Sequence, residues 1–168
     1  MTHAEKAEAL FLEGYNCAQA VFAAFCDLTG LEEKQALKLA SGFGGGVGGM
    51  REVCGAVSGL TLTLSALYGY DTPDDRAAKL ALYHSVQAAA ERYREQNGSI
   101  VCRELLGLSQ DVKKVDPAPR TQEYYKKRPC RQLVGMAAQI ADDFIAGHPR
   151  VCPKFCVNTA KQCKIEPK

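Results

Sequence analysis

From Val53 to Tyr70 the chain runs 18 residues without a charged side chain. A stretch of that length must be hidden from water, either in a bilayer or at the centre of a fold. Cys54, Ser58, Thr61, Thr63, Ser65 and three glycines lower its apolarity, and no Lys/Arg clusters flank it. No second span accompanies it, so membrane insertion is not expected. A central helix covered by other helices fits better. Its neighbour is equally constraining: Ser41–Gly49 has five glycines in its last six residues and cannot be regular helix. The chain therefore reads as a Gly-rich loop feeding a buried helix.

Around that pair, helical periodicity dominates and few runs alternate with period two. In Thr2–Asp27 the residues Leu10, Gly14, Cys17, Val21 and Phe25 recur at helical spacing, predicting one helix with Cys17 on its inward stripe. Thr29-Gly30 ends it, and Leu31–Ala40 reads as a second helix. The third runs from about Glu52 to Tyr68. Thr72 as cap and Pro73 at the first helical position predict a fourth, running to about Gln96, which Asn97-Gly98 stops. Ser99–Gly107 reads as a short helix capped by Ser99. Tyr124–Lys127 fits a loop or a short helix, and Cys130–Ala146 a final helix with Leu133, Met136, Ala137, Ile140 and Phe144 on one face. The expected fold is all-α, a compact bundle of about five to six helices. Residues 1–146 form the helical domain and 147–168 an irregular tail with three prolines and three cysteines. At 168 residues one domain with a real core is expected.

Met1–Phe11 lacks the charged-then-apolar order of a signal peptide. A cytoplasmic location is therefore expected, where cysteines more often serve metal or redox roles than structural disulfides. The net charge of +2 hides an asymmetry: residues 113–168 carry 12 Lys/Arg against 5 Asp/Glu. No recognition-helix pattern or aromatic-interleaved basic strand accompanies this, so nucleic acid is not an expected partner. The run Lys126-Lys127-Arg128, with Arg131, reads first as a solvated face, and second as a means of lowering the Cys130 pKa or docking an acidic redox partner protein. Gly55 and Gly59, four apart, form a surface that another helix can approach, within the chain or across a homodimer. No Ser/His/Asp set or paired carboxylates suggest a hydrolase, and His3 and His84 are given no role.

The chemistry lies in the cysteines, of which there are eight. Cys54, Cys102 and Cys130 fall at predicted helix starts, where the positive end of the dipole favours a thiolate. With Cys17 they lie on four different helices whose ends can converge. Four soft sulfur donors suit an iron–sulfur cluster or tetrahedral zinc, and two of them could instead form a reversible disulfide. No Cys-x-x-Cys is present, which disfavours thioredoxin-like and zinc-ribbon motifs. Gly44, Gly45, Gly46, Gly48 and Gly49 could aim backbone N–H groups at cluster sulfides or at Cys54, or simply allow close packing. No Gly-Lys-Ser/Thr follows, so a P-loop is not supported. Cys152, Cys156 and Cys163, with His148 upstream, could build a second metal site or remain free or disulfide-bonded; Cys26 is expected to be a core residue.

Several stretches carry a resemblance: Tyr15-Asn16-Cys17-Ala18-Gln19-Ala20-Val21, then Gly44–Gly59 ending Cys54-Gly55-Ala56-Val57-Ser58-Gly59, then Cys102-Arg103-Glu104-Leu105-Leu106-Gly107 and Cys130. In that order the chain resembles the C_GCAxxG_C_C family of redox-active proteins over about residues 8–146. The family label places Gly before Cys, whereas this chain reads Cys54-Gly55. The resemblance implies a small cysteine-dependent redox protein, related to domains fused to cytochrome-like modules, with iron or an iron–sulfur cluster as cofactor. The family's cysteines correspond to Cys17, Cys54, Cys102 and Cys130; the tail cysteines lie outside the label. The expected function is electron transfer through a cysteine-ligated iron–sulfur site. The alternatives are thiol–disulfide exchange by a Cys pair, and a zinc-binding structural module.

Overall fold

The computed structural model describes residues 1–109 and 119–148. Cys152, Cys156, Cys163 and most of the proposed tail lie outside the described residues. Among the described residues the fold is all-α, with nine helices and, in place of any strand, one antiparallel bridge between Val53 and Val101.

The first expected helix is three. Helix α1 (His3–Leu12) ends where Gly14 takes a φ of 106°, and α2 (Cys17–Ala24) starts afresh. Asn16 causes the restart: its side chain accepts from the N–H groups of Ala18 and Gln19, and Gln19 reaches back to the Asn16 N–H. That reciprocal cap satisfies donors that a continuous helix would not leave free. Cys17 is therefore the first residue of α2 and not a mid-helix stripe residue. A kink at Phe25 separates the short α3 (Cys26–Thr29), which Gly30 closes in a left-handed conformation. Helix α4 spans Glu33–Ala40 and passes into a single 3-10 turn, Ser41–Phe43.

Helix α5 spans Gly55–Tyr68 and none of its residues is exposed, as the uncharged run required. It starts three residues later than the periodicity suggests, because the preceding backbone is held extended. Cys54 N–H donates to the Ile100 carbonyl at 2.8 Å, and Cys102 N–H to the Glu52 carbonyl at 2.6 Å. Helix α6 (Arg76–Asn97) is capped by Asp75, whose carboxylate accepts from Ala78 N–H, and not by Thr72. Thr72 and Pro73 belong instead to a turn in which the Thr72 carbonyl accepts from Asp75 N–H. Helices α7 (Cys102–Leu105), α8 (Gln122–Lys126) and α9 (Cys130–Gly147) follow. Ser99 accepts from Val101 N–H but is not the cap of α7, and Pro129 occupies the cap position of α9.

The core is built on α5. Ala56, Val57, Leu60 and Leu64 face α2 and α9, where Val21, Phe25, Val134, Ala137 and Ile140 are buried with them. Helix α1 lies along α9 and α2, while α6 covers α5 from the other side with Ala89 and Tyr93. The Gly55/Gly59 surface is used inside the chain: a Cβ at Gly59 would stand 2.8 Å from both the Ala18 carbonyl oxygen and Val21 Cβ. Only glycine lets α2 and α5 come this close. No described helix is long and apolar enough to cross a membrane.

Candidate functional site

Four separate local structures deliver the four cysteines. Asn16 starts α2 and so sets Cys17 in its first turn; its side-chain amide also donates to the Ser41 carbonyl, tying that turn to the Gly-rich loop. The Val53–Val101 bridge sets Cys54 and Cys102 on neighbouring backbone segments, one ahead of α5 and one opening α7. Cys130 opens α9. The four cysteines line one small, partly open cavity of about 30 Å³, with Asn16, Gly45, Gly46, Gly55, Tyr124, Arg51, Arg120 and Arg128. Cys54, Cys102 and Cys130 are buried, Cys17 is half-buried, and all four are free thiols. Cys26 is half-buried at the start of α3 and takes no part in the cavity.

The Gly-rich loop folds on itself. Gly48 N–H donates to Gly42, Gly49 to Gly44, Arg51 to Gly45 and Glu52 to Gly46. Gly45 and Gly46 line the cavity, whereas Gly44, Gly48 and Gly49 do not, and the N–H groups of Gly48 and Gly49 are spent inside the loop. At Gly46 a side chain is excluded twice over. Its φ is 72°, and a Cβ would lie 2.7 Å from Cys102 Cβ and 2.8 Å from Arg51 Cα. Val47 and Arg51, at φ 59° and 63°, adopt left-handed conformations that cost energy for residues with a Cβ. That strained turn drives Arg51 inward, where it is buried.

The electrostatics divide the thiols. The neighbouring Cys17 thiol, with Arg128, Arg120 and Arg51 nearby, holds the Cys130 pKa down to about 7 against the cost of burial. Cys130 in turn, with burial, pushes the Cys17 pKa up. Burial pushes Cys54 up to about 11, offset in part by the Tyr93 hydroxyl 3.6 Å from its sulfur. Burial also raises Cys102, against the pull of the Arg51 guanidinium, whose Nη1 lies 3.9 Å from Cys102 Sγ. Helix starts alone therefore do not make thiolates here: of the three cysteines expected to be held ionised, only Cys130 is shifted that way. A short or late helix start on a buried backbone cannot outweigh desolvation.

Of the basic run around Cys130, Arg128 turns inward and lies over the Tyr124 ring at 4.5 Å, while Lys126 and Lys127 are exposed. Arg51, Arg120, Tyr93 and Tyr124 were not legible as site residues. Arg51 had the one available signal, its position directly after the glycine run. Among the described residues no group of three or more His, Cys, Asp or Glu side chains is set to hold a metal ion.

Residues 15–144 match the family described as "Putative redox-active protein (C_GCAxxG_C_C)". No curated protein and no solved structure matches the chain.

Proposed function

We propose, from the premise that this chain belongs to the C_GCAxxG_C_C family of redox-active proteins, that its thiol cavity is the redox centre and holds an iron–sulfur cluster. The observation that carries this reading is the meeting of Cys17, Cys54, Cys102 and Cys130 in one cavity whose lining contains no carboxylate or imidazole. Soft thiolate donors without hard competitors favour iron–sulfur or zinc chemistry. Gly46 and Gly55 let bare backbone pack against Cys102 and Cys17, which fixes where those two cysteines stand. A cluster supplies one-electron transfer at a potential set by its surroundings.

The chain's own residues would do the tuning. Arg51 beside Cys102 and the Tyr93 hydroxyl beside Cys54 donate to sulfur, and hydrogen bonds to ligand sulfur stabilise the more negative, reduced state. Arg128, Arg120 and Arg51 offset the negative charge of bound thiolates. Electrons would pass to a redox partner protein at the open side of the cavity. A single zinc ion asks four sulfurs to converge within about 2.3 Å of one point. A multi-iron cluster instead spreads its thiolate ligands over several iron atoms.

Anaerobic purification followed by an absorption spectrum and iron, zinc and acid-labile sulfide analysis tests the reading. Matched iron and sulfide with a visible chromophore that Cys54→Ser abolishes is the expected result. Colourless, metal-free protein with its helical content intact would overturn it. A second reading is favoured by one specific observation, that Cys17 and Cys130 open α2 and α9 onto the same cavity. Two such thiols form a dithiol that can close to a disulfide. Loss of two titratable thiols on mild oxidation, absent in Cys130→Ser and without metal release, would identify that chemistry.

A further inference from the structure

Arg51, Arg120 and Arg128 line the cysteine cavity, and among the described residues none of the three pairs with a carboxylate. Four other described arginines are matched: Arg92 with Asp143, Arg94 with Glu91, Arg103 with Glu52 and Arg131 with Glu8. Apart from the exposed Arg76, the unmatched arginines among the described residues meet at this one cavity. Their donors are also incompletely used. Arg51 is 94% buried by its 6% exposure, spends Nη1 on the Cys102 sulfur, and leaves Nε buried without a partner. Arg120 donates through Nη2 to the Tyr15 carbonyl at 3.4 Å and leaves Nη1 buried without a partner.

Buried donors are nearly always satisfied, and each one left open points to an acceptor not yet counted. Thiol sulfur is a weak acceptor, so the cysteines do not meet this demand. Arg120 and Arg128 both lie against the ring of Tyr124, at 4.7 and 4.5 Å from its centroid, and Arg120 also against Phe11 at 5.0 Å. Those aromatic faces hold two like-charged forks beside each other. Planar guanidinium groups fixed in this way suit oxygen anions, which they can grip through two parallel hydrogen bonds.

We propose that the cavity is also an anion-binding site, in which Arg51, Arg120 and Arg128 hold a small oxyanion or the carboxylate of a small substrate beside the cysteine sulfurs. The inference deepens the redox reading of the same cavity by naming the chemical class of its ligand. It requires no particular occupant of the thiols, because Arg51 Nε and Arg120 Nη1 are donors that the sulfurs leave unused. An anion seated there would lie next to the redox-active sulfur, the position of a substrate or of a ligand that sets its potential.

Calorimetric titration of inorganic sulfate and, separately, of acetate into the purified protein, at constant ionic strength in chloride, tests this. Saturable binding of one anion per chain is expected, weakened roughly tenfold or more in Arg120→Gln and in Arg128→Gln. Lys127→Gln, which removes the same charge one residue away on the exposed side, should leave it unchanged. Sulfate binding without acetate binding identifies a free tetrahedral oxyanion; binding of both identifies a carboxylate-bearing substrate. No saturable binding of either anion, or equal weakening in Lys127→Gln, overturns the proposal. Iron, sulfide and thiol content measured on the same samples keep the outcomes separate: anion binding can fail while the cysteine chemistry stands, and the reverse.

Discussion

Cys130 is the residue on which the chemistry turns. Its pKa is held down to about 7 first by the neighbouring Cys17 thiol and then by the three guanidinium groups nearby. In reduced, metal-free protein its alkylation by iodoacetamide should follow a titration with a midpoint near pH 7, the rate rising with pH as thiolate forms. Cys17→Ala removes the largest favourable contribution and should move that midpoint up toward the ordinary thiol range. An unchanged midpoint would mean that the arginines alone hold the thiolate. That Cys130 matters was legible from its place after Pro129 in a basic run. That Cys17 sits against it was not, because the contact joins residues 113 positions apart through α2 and α9.

At the scale of elements, the site depends on two backbone devices more than on the helices themselves. One is the near-contact of α2 and α5 at Gly59; the other is the bridge at Val53 and Val101 that pairs Cys54 with Cys102. Gly59→Ala should force α2 off α5 and destabilise the protein by about 1–3 kcal/mol. At this chain length each kcal/mol lowers Tm by about 2–4 °C. Gly42→Ala, where a Cβ would meet nothing within 4 Å, is the control and should leave Tm nearly unchanged. Equal losses in the two variants would show that the α2–α5 approach is not what glycine serves here. The small-residue spacing that marks this contact is visible in the chain. The bridge is not, since a single pair of extended residues between helices leaves no period-two pattern.

For the whole molecule, burying ionisable thiols in one cavity makes stability depend on pH with opposite signs. Cys130, lowered from the ordinary thiol range to about 7, contributes stability that is complete above about pH 9 and is lost as pH falls through 7. Cys54, raised to about 11, contributes stability that is complete below about pH 9 and is lost as pH rises through 11, because the unfolded chain ionises first. Urea unfolding of reduced, metal-free protein should therefore lose midpoint concentration between about pH 9 and 11, and Cys54→Ala should flatten that limb. Cys130→Ala should flatten the limb between pH 7 and 9. A Cys54→Ala profile parallel to wild type above pH 9 would place the alkaline loss on other groups.

The chain by itself determined the all-α class, the buried central helix, the glycine loop before it and four cysteines near helix starts that the fold gathers in one cavity. Each of these is a local property: a period of apolar residues, a run without charge, a cluster of glycines, a cysteine beside a helix start. Only the tertiary structure decided where helices break and which groups face each other. Asn16 and Gly14 divide the first expected helix through a cap whose strength lies in its geometry. Arg51, Arg120 and Tyr124 reach the cavity, and Tyr93 the Cys54 sulfur, from three distant stretches of chain, and of these only Arg51, close behind the glycine run, has a neighbourhood that marks it. Thiol pKa values were decided at the same level, because desolvation and charge neighbours are sums over the whole surroundings. A helix start is a local feature, and in this cavity burial outweighs it at Cys54 and Cys102.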